Sequence, residues 1–257
     1  MVEKISQQSK MKSRNRYELE LMRRSGQIAS VALKKALEEI KIGVSELAVN
    51  KAAEKEIYKL GGGLSYKSVP GYKYATCITT NEQVVHGIPT ERKFEVGDLV
   101  SVDLAVVYKG WHADCAWSVL VGEDPQKMRF LKVGEEALWD GIAQAIDGNR
   151  VGDISSAIQN TVEGADYSVV RSLVGHGIGR QLHEEPEVPG FGQKGTGPLL
   201  KTGMTLAIEV IYAKGKPEVV LEVDNWTFST VDKGWGGLFE MTVVVGKEQA
   251  EILTKFC

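Results

Sequence analysis

The order of its segments predicts an α+β protein in which a helix-helix-strand unit occurs twice. Three features carry that expectation. Apolar residues recur three and four apart in four segments bounded by capping residues or glycines. Short strand-like apolar runs follow each helical pair. Stretches of the first half also match stretches of the second, in the same order.

The first helix is predicted over 17–40, where Ala29, Ala32, Leu33, Ala36, Leu37 and Ile40 make one apolar face. Gly43 breaks it. Ser45 suits the N-cap of a second helix carrying Ala52, Ala53, Ile57 and Leu60, which ends at Gly61 to Gly63. Strand-like pieces then run to Gly122. Asp124-Pro125 has the cap-and-first-turn pattern of a third helix, with Met128, Leu131, Leu138, Ile142 and Ala145 on its face and Gly148 closing it. Asp153 is expected to cap a short fourth helix ending near Gly164, and "YSVV", "TLAIEVIYA", "EVVLEV" and "LFEMTVVVG" supply the second set of strands.

The internal match is specific. "FEVGDLVSVDL" (94–104) aligns without gaps on "LKTGMTLAIEV" (200–210), which puts Asp103 on Glu209. "VVHGI" aligns with the end of "LVGHGI", which puts His86 on His176, and "KIGVSELAV" resembles "RVGDISSAI" more weakly. One such match means little, but three in order indicate duplication, and a duplicated unit places a site where its halves meet.

Composition narrows the function. The 257 residues are 43% hydrophobic and 25% charged, with a net charge of -3. Those are values of an ordinary globular domain with a real core, and no basic stripe invites nucleic acid. Three cysteines without paired spacing argue against a disulfide framework and for a reducing compartment. No apolar run is long enough to span a membrane, and the first 16 residues are polar, with five basic residues, one acidic residue and no apolar centre of a secretory signal. The expected layout is a solvated tail over 1–16 and a single catalytic domain over 17–257, in the cytoplasm.

Within that domain four acids stand inside apolar strands: Asp103, Asp114, Glu209 and Glu240. A buried carboxylate needs a partner. Asp103 and Asp114 flank the turn at Lys109-Gly110, which puts them opposite or nearly opposite across a hairpin, a like-charge pair that a cation would relieve. With His176, the four acids make a set of hard oxygen donors plus one nitrogen, suited to two adjacent divalent ions among Mn, Fe, Co and Zn. The glycines at 175, 177 and 179 suggest backbone to which a ligand or metal comes close. Taken singly, each acid is an edge-strand charge and each histidine a satisfied turn residue; His112 has no more than that and is left outside the set. HExxH, CxxC, P-loop, dinucleotide and GxSxG patterns are all missing.

Taken in order, "NEQVVHGIP", "VDLAVVYKGWHAD", "GHGIGRQLHEEP", "TLAIEV" and "FEMTVVV" resemble the type I methionine aminopeptidases, over roughly 17–245. The resemblance implies the pita-bread fold, a pseudo-twofold α/β domain around a curved antiparallel sheet. It implies metal ligation by Asp103, Asp114, His176, Glu209 and Glu240, with Asp114 and Glu240 bridging. It also implies catalytic roles for His86, His183 and Glu209, and a methionine pocket including Tyr72, Cys77 and Trp226. The substrate would be the N-terminus of a nascent polypeptide with a small second residue, handled by a monomer; a ribosome contact would use the tail or a surface patch. Four places depart from the family pattern: Leu182, Lys73, Cys115-Ala116 and Met241. An Xaa-Pro peptidase, a non-catalytic binding protein and a metal-free hydrolase of the same fold stay open as alternatives.

Overall fold

A computed structural model describes residues 12–255. Helices α1 (Arg16–Glu39) and α2 (Glu46–Lys59) open the first half, followed by β1 (Gly63–Leu64), β2 (Cys77–Thr80), β3 (Gln83–Val85), β4 (Leu99–Tyr108) and β5 (Trp111–Leu120). Helices α3 (Pro125–Ala143) and α4 (Val151–Gly164) open the second. After them come β6 (Ser168–Val169), β7 (Gly175–Gly177), β8 (Glu184–Val188), β9 (Thr205–Ala213), β10 (Val219–Leu221), β11 (Phe228–Thr230), β12 (Gly236–Val244) and β13 (Glu251–Ile252).

Local chemistry accounts for the helix boundaries. Asn15 and Glu18 form a reciprocal capping box on α1, at 3.0 and 2.9 Å. Ser45 accepts from the Ala48 N–H, and Asp124 from those of Gln126 and Lys127, with Pro125 in the first turn of α3. Two boundaries differ from expectation. Asp153 is not the cap of α4 but lies in its first turn, where its carboxylate accepts the Arg150 N–H at 2.7 Å. Helix α3 stops at Ala143, before Gly148, because the chain turns early to pair Ile146 with Gly246. Of the tail expected over 1–16, residues 1–11 lie outside the described residues; Arg14 is packed rather than solvated, and Arg16 already belongs to α1.

The main sheet has the strand order β1-β4-β5-β12-β9-β7-β8, with β2 on β4, β6 on β9 and β13 on β12. Every pairing in it is antiparallel. Each half contributes a neighbouring pair of long strands, β4-β5 and β9-β12, so the centre reads β4-β5-β12-β9, symmetric about the β5/β12 seam. A smaller sheet, β10-β11-β3, stands beside it.

Strand alternation explains the layering. Val100, Val102, Leu104 and Val106 of β4 join the core with α1 and α2. Leu206, Ile208, Val210 and Tyr212 of β9, with Phe239, Met241 and Val243 of β12, join the core with α3 and α4. Both helix pairs therefore cover one face of the sheet. The intervening positions, including all four strand acids, turn to the other face.

Candidate metal centre

Register places the acids in line. Asp103 pairs with Ala116, Ala116 with Glu240, and Glu240 with Glu209, so one row across β4, β5, β12 and β9 holds three of the four. The next row on the same face carries Ala105, Asp114, Ala207 and His176, since Ala105 pairs with Asp114 and Ala207 with His176. Asp103 and Asp114 are thus diagonal neighbours offset by two residues rather than directly opposite, because the hairpin closes with Tyr108 against Trp111 around the two-residue turn Lys109-Gly110. Alanines at 105, 116 and 207 keep the sheet floor low between the acids.

Ligand atoms of Asp114, His176 and Glu240 lie within 4.8 Å of one another. All five predicted ligand residues line one cleft of about 780 Å³. Asp114 and Glu240 are buried at its floor, while Asp103, His176 and Glu209 are half-buried. Among the described residues no Lys or Arg forms an ion pair with any of the four acids. Burial, opposed by the Tyr66 hydrogen bond, raises Asp103 to about 6. Burial and the Asp103 charge raise Glu209 to about 8. Asp114 and Glu240 are pushed well up by burial and then by the neighbouring acids. Crowded carboxylates without a basic partner, one imidazole and open space above them fit a divalent metal.

The His176 ring is held by a 2.9 Å hydrogen bond between Nδ1 and the Gly177 carbonyl, which leaves Nε2 to accept a metal. Burial, and then the nearby His183, lower its pKa to about 4, keeping it neutral and able to ligate. Close packing of the protein itself accounts for the glycines around it. A Cβ on Gly175 would lie 2.6 Å from the Ala207 carbonyl, one on Gly177 2.3 Å from that of Glu185, and one on Gly179 2.4 Å from Arg14 Nη2. Neighbouring strands and an arginine need that space.

His183 meets His176 edge-to-face with ring centroids 4.5 Å apart, and His86 lines the same cleft. Solvent reaches both His86 and His183, but the cleft walls displace part of it, and this lowers both pKa values, that of His86 further by His183. His86 adopts a left-handed backbone conformation, φ 58°, rare for a side chain of its size. Gly87 follows because a Cβ there would sit 2.0 Å from the Ile78 carbonyl. Tyr72, Cys77 and Trp226 form one wall: Tyr72 and Trp226 rings are 5.1 Å apart, and Cys77 pairs with Asp103 across β2 and β4. His112 stands apart, buried and bonded through Nδ1 to Ser65 Oγ at 2.8 Å.

Of the departures, Met241 and Cys115 pair with each other and point into the helix-side cores, away from the cleft. Lys73 is exposed outside it. Leu182 is buried in the cleft wall, and Ala116 lies in the row of acids. Two residues in the cleft carried no sequence signal. Tyr66 donates a hydrogen bond to Asp103. Arg14 pairs with Glu184 beside His183. No periodicity or motif marks either, because each meets its partner only through the tertiary fold.

The profile of metallopeptidase family M24 matches residues 20–247. Methionine aminopeptidase 1 of Bacillus subtilis is 40% identical over 241 residues, covering 93% of this chain and 96% of its own. The crystal structure of a methionine aminopeptidase from Thermotoga maritima superposes with a TM-score of 0.94 at 40% identity, covering 95% of this chain and 99% of that one. A prolidase from Pyrococcus furiosus, 23% identical with a TM-score of 0.76, covers 95% of this chain and 65% of its own and shares the pita-bread fold. This chain has that fold, and it belongs to metallopeptidase family M24, among its methionine aminopeptidases.

Proposed function

We propose that this chain removes the N-terminal methionine of new polypeptides whose second residue is small, using two divalent ions held by Asp103, Asp114, His176, Glu209 and Glu240. The observation that carries the reading is the pair of adjacent rows that gathers these five side chains on one face of the sheet. Asp114 and Glu240, buried on either side of the seam, would hold metal from both halves of the chain. Bound metal supplies Lewis acidity toward water and toward the scissile carbonyl.

The chain's own groups do the rest. Glu209 accepts a proton from the attacking water and returns it toward the leaving nitrogen. His183 donates a hydrogen bond to the carbonyl oxygen as it gains charge. His86 contacts the scissile nitrogen. Tyr72, Cys77 and Trp226 receive the methionine side chain, whose polarisable sulfur favours aromatic edges. The preference for a small second residue rests on kinship. One chain carries the whole donor set, as a monomer requires. No helix among the described residues is long and apolar enough to cross a membrane, and removal of methionine from new chains would take place in the cytoplasm.

The test is release of methionine from Met-Gly and Xaa-Pro peptides by metal-stripped protein, with and without added Co, Mn, Fe or Zn. Metal-dependent release of methionine alone is expected. Cleavage of the Xaa-Pro peptide in its place would overturn the substrate, and no cleavage with any metal would overturn the activity.

A further inference from the structure

Tyr66 occupies the single helical turn Ser65–Ser68 that follows β1. It is 8% exposed, and its ring stands edge-on to Tyr72 with centroids 5.7 Å apart. Its hydroxyl donates to Asp103 Oδ1, and its oxygen lies 3.5 Å from Asp114 Oδ1. A phenol has one proton to give, so Asp103 receives it. Among the described residues, Tyr66 is the side chain from outside the acid cluster that hydrogen-bonds these carboxylates.

The type of donor matters. Asp103 is half-buried with open cleft beside it, and the terminal torsion of an aspartate is soft. Untethered, its carboxylate would sample several planes. A lysine or arginine could hold it, but would bring a positive charge that competes with a cation for the same oxygens. A buried neutral hydroxyl fixes the plane without that competition. Packing against Tyr72 sets the position of the phenol in turn.

We propose that Tyr66 is a positioning residue for the metal centre, tethering Asp103 Oδ1 and so fixing the plane of a carboxylate that would hold a cation. The inference rests on the donor set proposed above. The experiment titrates metal-free parent and Tyr66→Phe with Mn(II) by calorimetry and with Co(II) by visible absorption, and compares their melting temperatures without metal. In Tyr66→Phe, one binding step should weaken by about tenfold or more, the range for lost partners of metal ligands, with a changed Co(II) spectrum. In the Asp103→Ala background, which lacks the acceptor, the same substitution should have no further effect on affinity.

Parent-like affinity in Tyr66→Phe would overturn the proposal. So would a lower melting temperature with unchanged affinity, since that marks a packing role, and so would full additivity in the double variant. A parent chain that binds no divalent ion would instead bring down the donor set itself.

Discussion

Two histidines share an edge-to-face contact at 4.5 Å, yet their free nitrogens differ. His176 spends Nδ1 on the Gly177 carbonyl, whereas no side-chain hydrogen bond of His183 occurs among the described residues. Under the proposed function the first would ligate and the second would meet substrate. His183→Ala should therefore lower kcat about 100-fold, the loss typical of one oxyanion donor, with metal content unchanged by elemental analysis. Loss of metal would reassign His183 as a ligand. At this scale the sequence was legible wherever chemistry is unusual for its setting: an acid in an apolar strand, or a histidine repeated in matched positions. The ten residues given ligand, catalytic or pocket roles, with Tyr72, Cys77 and Trp226 among them through the family resemblance, all line one cleft. Tyr66 and Arg14 were not legible, since a tyrosine near a turn and an arginine in a polar segment are ordinary until the fold brings them to Asp103 and Glu184.

Among the elements, the connection between β7 and β8 matters most, because it carries His183. Arg14 holds it from outside. Its Nη2 donates to the Ile178 carbonyl at 3.2 Å and pairs with Glu184, and its Nε donates to Thr205 Oγ1 at 3.1 Å. The guanidinium also lies 5.4 Å from the Trp111 ring, which Arg180 approaches at 4.4 Å. Arg14→Ala leaves Glu184 without its ion-pair partner, though still accepting the Gln181 N–H, and the Ile178 carbonyl without one of its donors. It should cost about 2 kcal/mol in denaturant unfolding, in the range for hydrogen bonds to charged groups. It should also reduce kcat without removing metal. Arg14→Lys should recover part of the stability and less of kcat, since an ammonium cannot reproduce the planar fork. Unchanged kcat in Arg14→Ala would show that the connection holds its shape unaided. Strands were readable as apolar runs, "TLAIEVIYA" matching β9 residue for residue and "LFEMTVVVG" starting two residues inside β12. The diagonal offset of Asp103 and Asp114 was not, because register depends on where a turn closes and one residue of slip moves every partner.

For the whole molecule, crowded acids set the pH response. Asp103, Glu209, Asp114 and Glu240 all have raised folded pKa values, so the metal-free native state binds more protons than the unfolded chain. Stability then falls as pH rises through those folded values. Below the ordinary histidine value of 6.5 the lowered histidines act oppositely, His176 most strongly, with its value at about 4. Between pH 6.5 and about 8, where Glu209 titrates, the acids act without that opposition. The metal-free melting temperature should fall across this window, and saturating Mn(II) should raise it more at pH 8 than at 6.5. A flat profile would mean that the acids are relieved by some other route. The duplicated halves were readable because each repeats its own helices, glycine and acid. How the halves join was not, since no local signal states that β5 and β12 become neighbours.

That junction has a mechanical side. Strands β4 and β5 pair continuously from Leu99 opposite Leu120 to Tyr108 opposite Trp111, whereas β5 and β12 pair directly only at Ala116 with Glu240 and at Cys115 with Met241. On either side a hydroxyl is wedged between the backbones. Thr242 Oγ1 bonds the Asp114 N–H and carbonyl, both at 2.8 Å, and Ser118 Oγ bonds those of Leu238 at 3.0 and 2.8 Å. Asp114 and Glu240 stand on opposite lips of this short zip. Ions held by both would rivet the halves at this seam, adding to the pairing of β3 with β11 that also joins them. A chelator would then loosen the protein from its middle outward, with the amides around 114–116 and 240–242 the first to exchange.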